Sequence, residues 1–217
     1  MKWTKQQSLG VLLLWIVVLS VSSAATAFDF IEVPNPFLKA CWRLQITTII
    51  CALVSILEWK NRRDDWITMW REAWYLIIIS GIFLGFHFSA WTWSLDLTSM
   101  AHSLLFVCSG SILTIFITLM MWKGIKWITV LGTVIGFAGI AVTAFAPFKN
   151  LSGNAAGDFI ALFGALSLIV YLKIGEYMRK IRDIPLSAYL TGVNGTAALT
   201  SYVIAVIKQP SHASMIV

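Results

Sequence analysis

Apolar residues come in long unbroken runs. Seven stretches of about 20 residues, roughly 8–27, 37–57, 73–95, 99–121, 127–146, 157–177 and 185–207, are dominated by apolar side chains, and each can cross a hydrocarbon core of ~30 Å as a helix. A membrane β-barrel would need alternating apolar and polar residues, which these runs lack. The pattern predicts an all-α, polytopic membrane protein of about seven transmembrane helices. Short breaks at 96–99 and 123–126 make the flanking spans antiparallel neighbours, with Thr98 or Ser99 as the N-cap of the fourth span. The longest break, 58–72, mixes four basic and four acidic residues and is expected to be a solvated loop.

Composition agrees: 59% of residues are hydrophobic, only 12% are charged, and the mean hydropathy is +0.81. The formal charge of +6 records orientation rather than nucleic-acid binding. With the N-terminus inside, Lys2, Lys5, Lys60, Arg62, Arg63, Arg71, Lys123, Lys126, Lys173, Arg179, Lys180 and Arg182 all fall at cytoplasmic ends. Lys149 and Lys208 fall outside, and Lys39 and Arg43 lie within the second span. This positive-inside bias places an integral, multi-pass protein with a cytoplasmic N-terminus and the C-terminus of this chain on the outer or lumenal side.

The first run has two readings. Lys2 and Lys5 before Val11–Val21, then Ala25-Thr26-Ala27, resemble a cleavable signal peptide; small residues extending the run to spanning length equally suit a retained helix, which is the reading preferred here. Cys41, Cys51 and Cys108 all sit in apolar runs and imply no disulfide framework. Asn150-Leu151-Ser152 is a glycosylation sequon on the outer side.

An ionisable side chain deep in a span is a functional candidate by default. In the hairpin 73–121, His87, Trp91 and Ser94 recur at i, i+4 and i+7 and share a helix face. That face either lines a cavity or holds His87 in an interhelical hydrogen bond, with Trp91 packed between helices. In the last span Ser187, Thr191, Asn194, Ala198 and Ser201 form a stripe that suits a packing seam, with Asn194 its ligand-contact candidate. Arg43 must face a carbonyl, a water-filled cavity or an anionic substrate, and Tyr171 is a further candidate. Gly132, Gly136 and Gly139 make a smooth strip expected to meet another helix closely. His102 can reach Asp96 at the outer mouth, although solvent exposure is the simpler account. No motif of a hydrolase, metalloprotease or phosphate loop occurs, so neither an enzyme nor a metal or cofactor is expected.

The spacing from Ser8 to Pro36 equals that from Gly157 to Pro185, a five-span period that makes the second copy enter the bilayer from the opposite side, as in transporters built from inverted repeats. Residues 81–88, Trp91-Thr92-Trp93, the short turn into the fourth span, 132–139, Gly157-Asp158 with Tyr171, and Pro36 followed by Arg43 resemble the drug/metabolite transporter superfamily in its EamA-like branch. The resemblance covers roughly 8–207. It implies ten helices as five plus five around a central cavity. Residues 8–146 then form the first repeat and 157–207 the first two helices of the second, with 1–7 and 208–217 as short tails. Two places depart from the family: Ser109-Gly110-Ser111, where a proline is common, and Lys123, where a glutamate is frequent. The expected function is alternating-access exchange or facilitated diffusion of a small polar or aromatic metabolite. The alternative is a non-transporting membrane interaction subunit or truncated remnant of a ten-helix transporter. The expected partners are the lipid bilayer, a small metabolite and a second copy in a homodimer, not nucleic acid.

Overall fold

The computed structural model describes residues 35–120, 124–145, 154–181 and 185–208, together with parts of 10–31. The chain divides into Met1–Pro34 and Asn35–Val217. In the first unit residues 10–12, 15–16, 18–20, 23 and 26–27 are helical; the rest of the span 8–27 lies outside the described residues, as does the sequon at Asn150.

The second unit is all-helical among its described residues: α1 (Pro36–Trp59), α2 (Arg62–Leu97), α3 (Met100–Met120), α4 (Trp127–Phe145), α5 (Ala155–Ile181) and α6 (Leu186–Lys208). Five of these, all but α4, are long and apolar enough to cross a membrane. The molecule is an integral membrane protein by this measure. The predicted span 127–146 coincides with α4, whose described apolar stretch Trp127–Gly139 is shorter.

Local chemistry sets the helix ends. Asn35, fully buried, caps α1 by accepting from the backbone N–H groups of Phe37 and Leu38 at 3.0 and 3.3 Å, and Pro36 occupies the first turn, where its missing N–H costs nothing. Thr98 ends α2 in extended backbone. Ser99 then caps α3, its Oγ accepting from His102 N at 3.3 Å.

The expected loop 58–72 is instead helical. The only break is Arg62, at φ −132° and ψ 28°. There the chain reverses: Phe37 and Trp93 bring their rings within 5.6 Å, whereas 56 residues of straight helix would separate them by ~84 Å. The segment holds no Gly or Pro, and its Trp66 and Met69 pack into the core. Apolar anchoring of one face explains why a charged stretch is helical. Arg62 and Asp65 pair at 2.7 Å just past the reversal.

α6 lies antiparallel to α1 and parallel to α2, and the three share a core with the C-terminal half of α5 through Leu44, Met69, Ile77, Met178, Tyr189 and Val193. α3 leans on α5 rather than along α2, and α4 packs on α3. The expected α2–α3 antiparallel pair is therefore restricted to the turn. The reason is steric: glycines on α5 let it take the place beside α2. A Cβ at Gly164 would stand 3.3 Å from His87 O, and one at Gly157 only 2.7 Å from Thr98 Cβ.

Candidate functional site

Three of the six candidate residues converge. His87 lies ten residues from the end of α2, ~15 Å along the helix, and is 7% exposed. Its Nδ1 sits 2.9 Å from Gly164 O on α5. A carbonyl only accepts, so Nδ1 carries the proton and Nε2 is left as an acceptor. This is the interhelical bond that formed one of the two sequence readings. Arg43 of α1 places its guanidinium 4.5 Å from the Phe88 ring centroid and 5.7 Å from that of Trp91. Phe88 in turn meets His87 at 5.0 Å and Trp91 at 6.3 Å, both with the ring planes inclined at 60°. The cluster offers a cation on aromatic faces, a favourable arrangement where water is scarce.

The other three candidates stand apart. Ser94 donates to Trp91 O at 2.7 Å and meets Ser103 of α3 at 2.7 Å, closing the α2–α3 turn. Asn194 uses its Nδ2 on its own helix, donating to Leu190 O at 2.8 Å. Tyr171 packs beside the shared core and faces a cleft at the Arg62 end.

Along α6 the expected stripe is a polar seam, and its partners were not visible in the sequence. Ser187 donates to the Glu58 carboxylate. Thr191 donates to Ser187 O at 2.8 Å and so accepts from Ser55 at 3.0 Å. Tyr189 and Ser80 share a hydrogen bond of 2.5 Å, and Ser89 donates to Ser201 at 3.0 Å. The backbones meet closely because α2 presents Gly81 and Gly85: a Cβ on either would lie 2.5 Å from Thr196 Cβ or 2.7 Å from Thr200 Cβ. The legible signal was Gly81-x-x-x-Gly85, a spacing that permits close helix approach.

At the Pro36 end, Asp158 accepts from Thr98 Oγ1 at 3.0 Å and stands 3.4 Å from His102 Nδ1. The sequence left His102 solvent-exposed or within reach of Asp96; instead its side chain is only 13% exposed and stands beside Asp158. Asp158 reaches it because Gly157 brings the start of α5 directly onto Thr98. The glycine strip of α4 also departs from expectation. Among the described residues, a Cβ at Gly132 or Gly136 would meet nothing within 4 Å.

Among the described residues, clefts open between helices. One of ≈ 480 Å³ runs between α1 and α6, lined by Gln45, Thr48, Gly195 and Tyr202 among others. Another, of ≈ 560 Å³, lies between α5 and α6 beside Tyr171, Arg179, Lys180 and Tyr189; there Glu176 bridges Lys173 and Lys180 at 3.2 and 2.7 Å. A smaller one, of ≈ 250 Å³, sits by Phe37, Trp93 and Lys208. No group of three metal-ligating side chains occurs among the described residues. Comparison with protein-family models, curated proteins and solved structures finds no match to this chain.

Proposed function

We propose that this membrane protein is a secondary transporter of the EamA-like kind, an exchanger or facilitator that moves a small polar or aromatic metabolite by alternating access. The observation that carries the reading is the pairing of α1 and α6. The five-span period makes these two helices equivalent, and they pack antiparallel across a seam of single hydroxyl hydrogen bonds. Such bonds in membranes average only ~0.6 kcal/mol, weak enough for the seam to part and re-form. Arg43, Phe88, Trp91 and His87 supply the recognising surface, in which a guanidinium over aromatic faces suits a planar or anionic solute. The charge bias supports a cytoplasmic N-terminus, with the Arg62 end of the bundle facing the cytoplasm.

A non-transporting interaction subunit is the competing reading. It is favoured by the internal hydrogen bonds of His87, Ser94 and Asn194, which leave those side chains occupied with packing. Uptake and exchange by the purified chain in liposomes, over a broad metabolite panel, separates the two. The expected outcome is saturable flux of one solute class, abolished by His87→Ala with membrane insertion intact. No flux from a chain shown to be folded supports the interaction subunit, and unchanged kinetics in His87→Ala returns that residue to packing alone.

A further inference from the structure

Gln45 is the side chain that the described fold leaves unexplained. It lies nine residues into α1, ~14 Å from its start, and thus well inside a bilayer core of ~30 Å. Its side chain is exposed, on a face whose other members, Ile46, Ile49 and Ile50, are each more than half exposed. These isoleucines mark the face as turned to lipid. Hydroxyls nearby satisfy themselves within their own helices: Thr47 donates to Arg43 O at 2.9 Å, Thr48 to Leu44 O at 2.7 Å, and Thr196 to Gly192 O at 2.9 Å. Among the described residues no hydrogen bond reaches the Gln45 amide, which carries two donors and an acceptor with two lone pairs. Lipid tails supply no partner, so an amide at this depth favours association with another hydrogen-bonding group.

The surroundings say what that group is. Gln45 stands at the rim of the ≈ 480 Å³ groove between α1 and α6, where Gly195 and Ala198 leave room for close approach. We propose that this groove is the face through which two copies of the chain pair in the bilayer, the Gln45 amides hydrogen-bonding to each other across a two-fold axis. An amide is self-complementary, each offering the donor and the acceptor that the other lacks. Every copy inserts with the same orientation because one charge bias governs all, so a two-fold axis along the membrane normal brings the two amides to equal depth. A different partner would need a matching polar group at that depth; the second copy has it by identity. The contact is isologous and closes on itself as a dimer.

The test is association of the full-length chain, fluorescently labelled and reconstituted in liposomes, counted by single-molecule photobleaching over a series of protein-to-lipid ratios. A dilutable dimer is expected. Gln45→Leu should raise its dissociation constant by about 3- to 20-fold, in line with interhelical hydrogen bonds in membranes, and Gln45→Asn should recover part of the loss. Leu199→Trp, at a position 63% exposed in the same groove and so tolerated by the fold, should also weaken the dimer. Gly132→Leu on α4 should leave it unchanged. Monomers at every ratio overturn the proposal. So do dimers indifferent to both Gln45→Leu and Leu199→Trp, or dimers that respond to Gly132→Leu instead.

Discussion

α2 and α4 carry the same signature, glycines four residues apart, in opposite surroundings. Gly81 and Gly85 face Thr196 and Thr200 so closely that any side chain collides. Gly132 and Gly136 meet no neighbour among the described residues. A small residue in a membrane helix therefore permits close contact without requiring it. What decides is whether the opposite helix presents a matching stripe, as α6 does with small and hydroxyl residues along its buried face.

The largest effect should come from filling the tight seam. Gly81→Leu would drive a branched side chain into Thr196 and Val193 O, and overpacking of this kind costs about 1–3 kcal/mol or more. Unfolding free energy measured by steric trapping in bicelles should fall by at least that much; a smaller loss would mean that α2 and α6 can slide apart cheaply. A middling effect is expected from Tyr189→Phe, which removes the hydroxyl shared with Ser80 and keeps the ring. The same measurement should register a loss of about 0.5–1.5 kcal/mol. No change would show that packing alone holds the seam. The smallest belongs to the open strip: Gly136→Ala should be neutral or stabilising by up to ~1 kcal/mol, since alanine favours helix and meets no neighbour. Destabilisation there would erase the contrast between the two helices.

Helical class and most helix positions were legible because spanning length and apolar composition are local properties of each run. Partnerships were not. The segment 58–72 reads as a loop by charge, yet Met69 on its buried side is 1% exposed, and a periodicity carried by a few apolar residues among eight charges is easily overlooked. Ser55, Ser80 and Ser89 are isolated hydroxyls in apolar runs, and each finds its partner more than 100 residues away. Nothing in local sequence separates them from serines that bond only to their own helix, as Ser167 does. His87 was found by depth alone, but its acceptor is a backbone carbonyl, a group every residue offers. The convergence of Arg43 with Phe88 was hidden for a different reason: Phe88 is one aromatic among thirteen phenylalanines, and only the α1–α2 reversal brings it under the guanidinium.

That reversal also bears on how the chain enters its membrane during synthesis. A continuous 62-residue helix would be ~93 Å long, about three times the thickness of the hydrocarbon layer, so the ribosome-bound chain cannot thread it across as one rod. With the break at Arg62, the chain instead offers two crossings, α1 and α2, joined by a bend whose charged residues suit the membrane surface. Because the two crossings come in one hairpin, the aromatic faces that receive Arg43 at its depth, Phe88 and Trp91, arrive with the very next helix.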